Sequence, residues 1–321
     1  MRRGESGIIL ASVMWTMILL SLMALAIGRL TGGQVWFVSD AVSRVKAYAA
    51  ARSGMTYALN MLAHAEAKCP SLYACGFDPG DEKPETFFKK VSTGDRAHAD
   101  ICYVTRGYSK DGSSRIVYGF SDEDRRFNLN RINVNNADKI LADLLTQAGM
   151  PANQAAAVSV CAATWITDAN GSTASAKQKQ KSFDRVDELL VCDGMTVDVL
   201  NKVREYLTVY PKDSSETANS NPVSASNAVL RADNAASFAP AAGGTSPDEA
   251  TRQQIAARDG ADGEPFTADD GKSIVQNDVK NFWRVRVVGV DENSGIKAVI
   301  EAVVEKKDAN RWPKIWEWHR E

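Results

Sequence analysis

Residues 8–27 form an apolar run without a charged residue, and this run constrains the chain more than any other feature. It reads IILASVMWTMILLSLMALAI. Twenty helical residues rising about 1.5 Å each span about 30 Å, the thickness of the hydrocarbon core of a bilayer. Arg2 and Arg3 precede the run, so the positive-inside rule predicts that the N-terminus stays in the cytoplasm and that the chain after the run is exported. The run therefore predicts a single transmembrane helix.

A cleavable signal peptide is the alternative interpretation of this run. The apolar core of such a peptide usually has about 7–15 residues and ends in small residues before the cut. Here the run is longer and ends at Gly28-Arg29-Leu30, a poor cleavage site. Beyond it, apolar residues recur mostly every three or four positions to about residue 66, and no proline occurs between Met1 and Lys68. We therefore expect one long helix, half in lipid, that can bend at Gly32-Gly33.

The overall charge argues against a protein that coats nucleic acid. The 321 residues include 40 acidic and 38 basic ones, for a formal charge of −2, whereas nucleic-acid-coating proteins are usually clearly basic. The three histidines, His64, His98 and His319, are far apart in the sequence, so a His-rich metal or hydrolase centre is not expected. The other polar residues form no catalytic constellation, and we expect a protein that is not an enzyme.

Five cysteines occur without a CxxC motif, which leaves a zinc ribbon or a thioredoxin-type site without support. An exported body lies in an oxidising compartment, where disulfides form. Cys69 and Cys75 are then candidates for closing a short loop, and Cys161 and Cys192 for joining two parts of one helical unit. Cys102 is left over. The alternative is that all five are buried free thiols.

Two strand pairs flank a helical region. Ala99 to Val104 and Ser114 to Phe120 predict one hairpin, and Phe282 to Val290 and Ile296 to Val304 predict a second. Between them we expect a first helical unit (residues 128–210), a linker and a second helical unit (residues 221–275). The fold class is therefore α+β: a long N-terminal spine helix on an antiparallel sheet that is interrupted by a large α-helical insert.

Several motifs lie in one order along the chain. The leader has a basic tip and Gly7 directly before the apolar run, and the body carries DEDRRFNLN at 122–130, WITDAN at 165–170, ELLVCDGMT at 188–196 and WEWHRE at 316–321. Together these resemble the large K-type minor pseudopilin of type II secretion systems, the general secretion pathway protein K family. The resemblance extends over nearly the whole chain.

The resemblance implies a processing site at the N-terminus. In that family prepilin peptidase cuts after a glycine and methylates the new terminus, so the cut is expected between Gly7 and Ile8, with N-methylation of Ile8. Most pilins carry a glutamate at mature position five, and here that position is Ser12, as in K subunits, which lack the glutamate. The simpler interpretation is that Ser12 is a small polar residue packing between transmembrane helices.

The resemblance also implies a place in the cell and a set of partners. We expect a single-pass inner-membrane protein with a cytoplasmic N-terminus and a periplasmic body, which contacts other minor pseudopilins and prepilin peptidase. Its role would be to cap the tip of a periplasmic pseudopilus and to support export of folded proteins across the outer membrane.

The expected segments are a leader (1–7), transmembrane (8–27) and periplasmic (28–66) halves of the spine helix, a loop with the first strand pair (67–127), the first helical unit (128–210), the linker with the second helical unit (211–278), and the second strand pair with the C-terminal segment (279–321).

Calcium is a possible cofactor, because the resemblance implies it for some members in their helical inserts. Asp168 and Asn170 lie in a polar turn rich in oxygen ligands. The following stretch, however, carries Lys177, Lys179 and Lys181, which oppose a cation. Another cluster consists of Asp262, Asp269 and Asp270. Such clusters are more often solvated loops than metal sites, and no ligands are assigned.

Two other functions remain open. A minor type IV pilin for adhesion or DNA uptake would share the leader and spine helix. A signal-anchored protein with helix-hairpin-helix units would bind nucleic acid through the turn Ala148-Gly149-Met150-Pro151. Nucleic-acid-binding versions of that turn usually have a second glycine, whose N–H reaches a phosphate. Pro151 has no N–H, so no nucleic acid is expected as a partner.

Overall fold

The computed structural model describes residues 5–64, 85–94, 96–105, 114–133, 137–166, 179, 181–212, 225–237, 246–261, 263, 282–306 and 312–320. Its α-helices are α1 (Glu5–His64), α2 (Glu85–Phe88), α3 (Ala137–Gln147), α4 (Ala152–Ile166), α5 (Val197–Val203), α6 (Asn227–Ser237) and α7 (Pro247–Arg258). Its strands are β1 (Val91–Gly94), β2 (Ala97–Thr105), β3 (Arg115–Tyr118), β4 (Ser121–Asp122), β5 (Phe127–Asn128), β6 (Leu207–Thr208), β7 (Phe282–Asp291), β8 (Lys297–Glu305) and β9 (Lys314–Arg320).

Helix α1 changes its surroundings halfway along. From Leu10 to Ile27 its large apolar side chains are exposed, and it is long and apolar enough to cross a membrane. From Ala47 onward one stripe of the helix is buried, and its most deeply buried residues are Ala47, Ala51, Met55, Ala58 and Leu62. Spacings of three and four place these residues on one face. The second half of the helix therefore packs against the body.

Among the described residues the body contains a seven-stranded antiparallel sheet in the order β1-β2-β7-β8-β9, with β3 paired to β2 and β4 paired to β7, and a separate parallel pair of β5 and β6. β7 and β8 form a hairpin in which Val287 lies opposite Ile300. On its other side β7 pairs with β2, where Val287 lies opposite Ile101. A strand that precedes the helical region thus pairs with a strand that follows it. The predicted α+β class, with a spine helix on an interrupted antiparallel sheet, is confirmed.

Two glycines allow α1 to lie very close to the sheet. A Cβ atom on Gly289 of β7 would be 2.1 Å from the carbonyl oxygen of Ala47 and 2.3 Å from the backbone nitrogen of Ala51. A Cβ atom on Gly54 of α1 would be 2.4 Å from the Cβ of Ala99. Gly289 lies near the end of β7, and Ala47 lies at the start of the buried half of α1. Their contact therefore indicates that β7 runs antiparallel to α1. The Phe282 end of β7 lies near the C-terminal end of the helix.

The helical units pack on the face of the sheet opposite to α1. Their core contains residues of α3, α4, α5 and α6 and extends to Phe282 and Val303 of the sheet. The neighbours Trp283 and Val304 belong instead to the core beneath α1, because successive strand residues point to opposite faces. Since α6 packs in the same core as α3, the two helical units share one core.

The segment before β2 contains more regular structure than its sequence predicts. Residues 69–98 carry the loop signals Pro70, Pro79, Gly80 and Pro84, yet α2 and β1 lie within this range. β1 pairs with β2, and Phe88 of α2 is buried against Phe120. Elements of four residues are too short to show a hydrophobic period, and tertiary contacts stabilise them.

Candidate functional site

The chain leaves the sheet for the first helical unit at Glu123, whose side chain is fully buried. β4 leads into a 3₁₀ turn, Glu123–Arg125, and Asp122 caps this turn by accepting a hydrogen bond from the backbone N–H of Asp124. The Glu123 carboxylate accepts hydrogen bonds from the guanidinium groups of Arg126 and Arg284, at 2.7–3.2 Å. Thr208 Oγ1 donates another at 2.6 Å.

The donors to Glu123 come from different parts of the fold. Thr208 belongs to β6 at the end of the first helical unit, and Arg126 Nε donates to the carbonyl oxygen of Glu205 in the same unit at 2.9 Å. Arg284 belongs to β7, and its Nη1 donates to Glu301 of β8 at 2.5 Å. We call these six residues, Glu123, Arg126, Glu205, Thr208, Arg284 and Glu301, the junction cluster. It joins the sheet to the helical unit.

The charges of the junction cluster compensate its burial. Burial alone would raise the pKa of Glu123, but the neighbouring guanidinium groups of Arg126 and Arg284 outweigh it and hold that pKa well below its usual range. Burial, together with repulsion from Arg284, lowers the pKa of Arg126 to about 10. At neutral pH the carboxylate and both guanidinium groups therefore stay charged, so the cluster is a buried ionic network.

Two asparagines of the same motif hold the first helical unit closed. Asn130 is buried, donates to the carbonyl oxygens of Phe183 and Val209, and accepts a hydrogen bond from the backbone N–H of Phe183. Asn128 donates to the carbonyl oxygen of Pro211 at 2.8 Å. These side chains hydrogen-bond to backbone groups of segments that lie about 50 to 80 residues away in sequence. The Asn-Leu-Asn segment therefore has a structural role.

A cleft of about 260 Å³ lies between the first helical unit and the sheet. The helical unit contributes Arg185, Asp187 and Arg204 to its lining, and the sheet contributes Arg284, Glu301, Glu317 and His319. Ion pairs join Arg204 to Asp187 and Arg284 to Glu301, and a hydrogen bond links His319 Nε2 and Glu317. The cleft is thus lined largely by charged side chains that already pair within the helical unit or within the sheet.

The processing residues lie far from this junction, at the other end of α1. Gly7 and Ile8 are helical, in the first turn of α1. Ser12 lies one turn further along, on an exposed part of the helix. Cleavage between Gly7 and Ile8, methylation of Ile8 and the meaning of Ser12 stay predictions.

The cysteines and the calcium candidates have different outcomes. Cys161 of α4 and Cys192 form a disulfide with their Cα atoms 5.8 Å apart, and Cys102 is a buried free thiol. Cys69, Cys75 and the acidic and amide candidates for calcium, Asp168, Asn170, Asp262, Asp269 and Asp270, lie outside the described residues. Within the described ranges no group of three His, Cys, Asp or Glu residues could hold a metal ion. Lys179 forms ion pairs with Asp184 and Glu188.

Arg284, Glu301 and Thr208 were not predicted from the sequence as members of one cluster. One signal was available: Arg284 interrupts the apolar strand Phe282–Asp291, and Glu301 interrupts the facing strand. Opposite charges on neighbouring strands indicate cross-strand pairing. The third partner, Glu123, is 161 residues from Arg284 in sequence, and no local pattern connects them.

Comparison with known proteins identifies the first helical unit. Residues 125–212 match the family model of the type II secretion system (T2SS), protein K. Among solved structures, a chain of the GspK-GspI-GspJ complex from the enterotoxigenic Escherichia coli type 2 secretion system is similar, with 14% sequence identity and a TM-score of 0.48 over 91% of this chain and 99% of that chain. None of the curated proteins is significantly similar in sequence. Residues 125–212, which begin two residues after Glu123 and end at Lys212, are thus similar to the type II secretion system protein K family.

Proposed function

We propose that this protein is an inner-membrane minor pseudopilin that caps the tip of a periplasmic pseudopilus and thereby supports export of folded proteins across the outer membrane. Its role is structural rather than catalytic, and other minor pseudopilins are its partners. One observation carries the proposal: a helical unit of the protein K family is inserted into an antiparallel sheet that packs on a long helix with an apolar, exposed first half. A spine helix of this kind suits a subunit anchored in lipid and packed in a filament.

The anchor gives the proposed orientation. The exposed side chains from Leu10 to Ile27 match the length of a bilayer core, and Arg2 and Arg3 precede them. The N-terminus is therefore cytoplasmic in our proposal, and the sheet and both helical units are periplasmic. The segment boundaries proposed from the sequence, with a leader at 1–7 and a membrane half at 8–27, fit this orientation.

The position of the helical units favours the tip over the shaft. Lys306 directly follows β8 and donates hydrogen bonds to the carbonyl oxygens of Leu62 and Ala63. The C-terminal end of α1 therefore lies beside the end of β8. Phe282 and Val303, near the same end of the sheet, pack into the helical core. Leu62 lies about 50 Å along the helix from Ile27. The bulk therefore sits at the membrane-distal end, where it would collide with a subunit stacked above.

Ser12 agrees with an end position. A lone carboxylate in lipid is costly unless a partner neutralises it, and in pilins the partner is thought to be the amine of a neighbouring subunit. A subunit that lacks one neighbour has less use for that glutamate. We propose that the mature chain begins at methylated Ile8, so that Ser12 takes the fifth position.

The experiment is the intact mass and N-terminal sequence of the protein extracted from membranes of cells with and without prepilin peptidase. We expect a chain that starts at methylated Ile8 only when the peptidase is present. An uncut Met1, or a cut beyond Ile27, in cells that contain the peptidase would contradict the assignment and favour a signal-anchored or secreted protein.

The tip position needs a separate measurement. Gold-labelled antibody against the helical units should mark one end of each isolated pseudopilus, while antibody against the major subunit should mark its length. A reconstruction in which this chain repeats along the shaft would contradict capping while leaving membership of the pseudopilus intact.

A further inference from the structure

An ammonium group occupies the centre of the acidic turn that follows α4. Lys179 Nζ lies 2.7 Å from Asp184 Oδ2 and 2.9 Å from both carboxylate oxygens of Glu188. The backbone places the lysine there, since its N–H donates to the carbonyl oxygen of Trp165 in the last turn of α4 at 3.1 Å. Two carboxylates that are distant from Lys179 in the chain by only five and nine residues thus converge on a single cation.

The two carboxylates are also occupied by other donors. Glu188 accepts hydrogen bonds from the backbone N–H groups of Asp184 and Arg185, at 2.8 and 3.2 Å, and from Trp165 Nε1 at 3.3 Å. Asp184 accepts a further one from Lys212 Nζ at 2.6 Å. Two lysines therefore balance two acids, and both Glu188 oxygens that face Lys179 have further N–H donors. A divalent cation would need several of these lone pairs.

The pKa directions agree with this geometry. Hydrogen bonds from Lys179 and Lys212 lower the pKa of Asp184 to about 2. Burial alone would raise the pKa of Glu188, but the hydrogen bonds from Lys179 and the backbone lower it below its usual value. Burial opposes the charge of Lys179, yet its two acidic partners raise its pKa. All three groups are therefore charged at neutral pH.

We propose that Lys179 is a built-in cation of the first helical unit, which holds the turn Asp184–Glu188 in the place where a divalent metal ion would otherwise be needed. A calcium ion does not fit between Asp184 and Glu188, because the ammonium group of Lys179 already lies there, 2.7 and 2.9 Å from their carboxylate oxygens. The inference concerns how the unit is held together and does not depend on the proposed function.

If Lys179 acts as this cation, replacing it by an acid should make the stability of the protein depend on calcium. Lys179→Asp shortens the side chain and adds a third carboxylate. A calcium ion bound about 2.4 Å from that carboxylate restores much of the lost reach toward Asp184 and Glu188. Without calcium, three carboxylates repel one another around an empty centre.

The matched control is Lys181→Asp, which makes the same charge change two residues away on an exposed side chain. Lys179→Arg keeps the cation and serves as the conservative variant. Each full-length protein is extracted in detergent, purified in calcium, and then unfolded by heat in EDTA and in millimolar calcium at equal ionic strength. Calorimetric titration with calcium gives the binding itself.

We expect the Tm of Lys179→Asp in EDTA to fall by about 5 °C or more relative to the unsubstituted protein and to recover in calcium. Lys181→Asp and Lys179→Arg should each respond to calcium no more than the unsubstituted protein does. If Lys179→Asp does not fold in EDTA, Lys179→Met, which removes the charge without adding another, should still lose stability against Lys181→Met.

Two results would overturn the proposal. One is a Lys179→Asp or Lys179→Met variant that is as stable in EDTA as its residue-181 counterpart, since the ammonium would then hold nothing. The other is a calcium-induced rise in Tm of the same size in the unsubstituted protein and in Lys179→Asp, since the ion would then bind elsewhere and the lysine would not stand in for it.

Discussion

At the scale of single residues, Glu123 is the buried side chain at which the sheet and the first helical unit are joined. It is fully buried and bound by two arginines and a threonine from separate segments. Burying charges is costly, and a buried pair repays that cost only when its hydrogen bonds are satisfied. Glu123 meets this condition, so we expect its loss to be felt far more than the loss of an exposed acid.

Glu123→Gln tests this expectation. The amide keeps the shape but removes the negative charge that lies between Arg126 and Arg284, although Arg284 still pairs with Glu301. We expect the free energy of unfolding to fall by about 3–5 kcal/mol in denaturant titrations. The control is Glu292→Gln, at a half-exposed side chain that pairs with His98, where a change of about 1 kcal/mol or less is expected. Equal losses for the two variants would contradict the role of the junction cluster.

The same carboxylate predicts a pH dependence. Its pKa in the folded protein is held below the value of about 4.3 that a glutamate has in an unfolded chain. The stability that it contributes is therefore fully present above about pH 5 and is lost as the pH falls toward its folded pKa. The difference in unfolding free energy between the unsubstituted protein and Glu123→Gln should shrink as the pH falls from about 5 to about 3. A difference that stays constant over this range would show that the ionised form is not what stabilises the fold.

At the scale of elements, the contact between α1 and β7 depends on the absence of a side chain at Gly289. The helix backbone lies where a Cβ atom would be, 2.1 Å from the oxygen of Ala47. Backbone cannot move aside as a flexible side chain can. The buried stripe of α1 is thus positioned by a glycine on the strand opposite.

Gly289→Ala should separate α1 from the sheet. We expect a loss of about 3 kcal/mol of unfolding free energy, at the upper end of what overpacking costs. Gly28→Ala is the control, because a Cβ atom at Gly28 has no neighbour within 4 Å and alanine favours helix. If Gly289→Ala proves as stable as Gly28→Ala in denaturant, the close approach of helix and strand described above is wrong.

The disulfide between Cys161 and Cys192 makes a second prediction at this scale. It closes a loop across 31 positions, and such a loop restricts the unfolded chain by about 3–4 kcal/mol. Replacing both cysteines by alanine should lower the Tm by several degrees, whereas Cys102→Ala should leave the thermal response to reducing agent unchanged. A double variant with unaltered Tm would contradict the bond.

The elements also show how far sequence reasoning reaches. The spine helix and the hairpin of β7 and β8 were predictable because their periods of 3.6 and 2 residues are local. The sequence does not decide between helix, strand and loop for β9, because Pro313 interrupts the spacing of Trp312 and Trp316, whereas its pairing with β8 makes it a strand. The junction cluster and the pairing of β2 with β7 were out of reach, since their partners are separated by the whole helical region.

At the scale of the whole molecule, the proposed topology predicts a pattern of protease access. In intact cells the body should be protected, and in spheroplasts added protease should remove everything beyond the membrane half of α1. A cytoplasmic protein serves as the control for lysis. A body that survives in spheroplasts but is cut after detergent would place it in the cytoplasm and contradict the positive-inside assignment.

The pairing of β2 with β7 has a consequence for the order of folding. In the proposed topology the chain crosses the membrane from its N-terminal side, so β2 is exposed long before β7, which begins at Phe282. The parallel pair of β5 and β6, by contrast, needs nothing beyond Thr208, so it can close the base of the first helical unit early. Closing that base shortens the effective loop between β2 and β7. The insert, which interrupts the sheet in sequence, thus helps the late strand to find its place beside the early one.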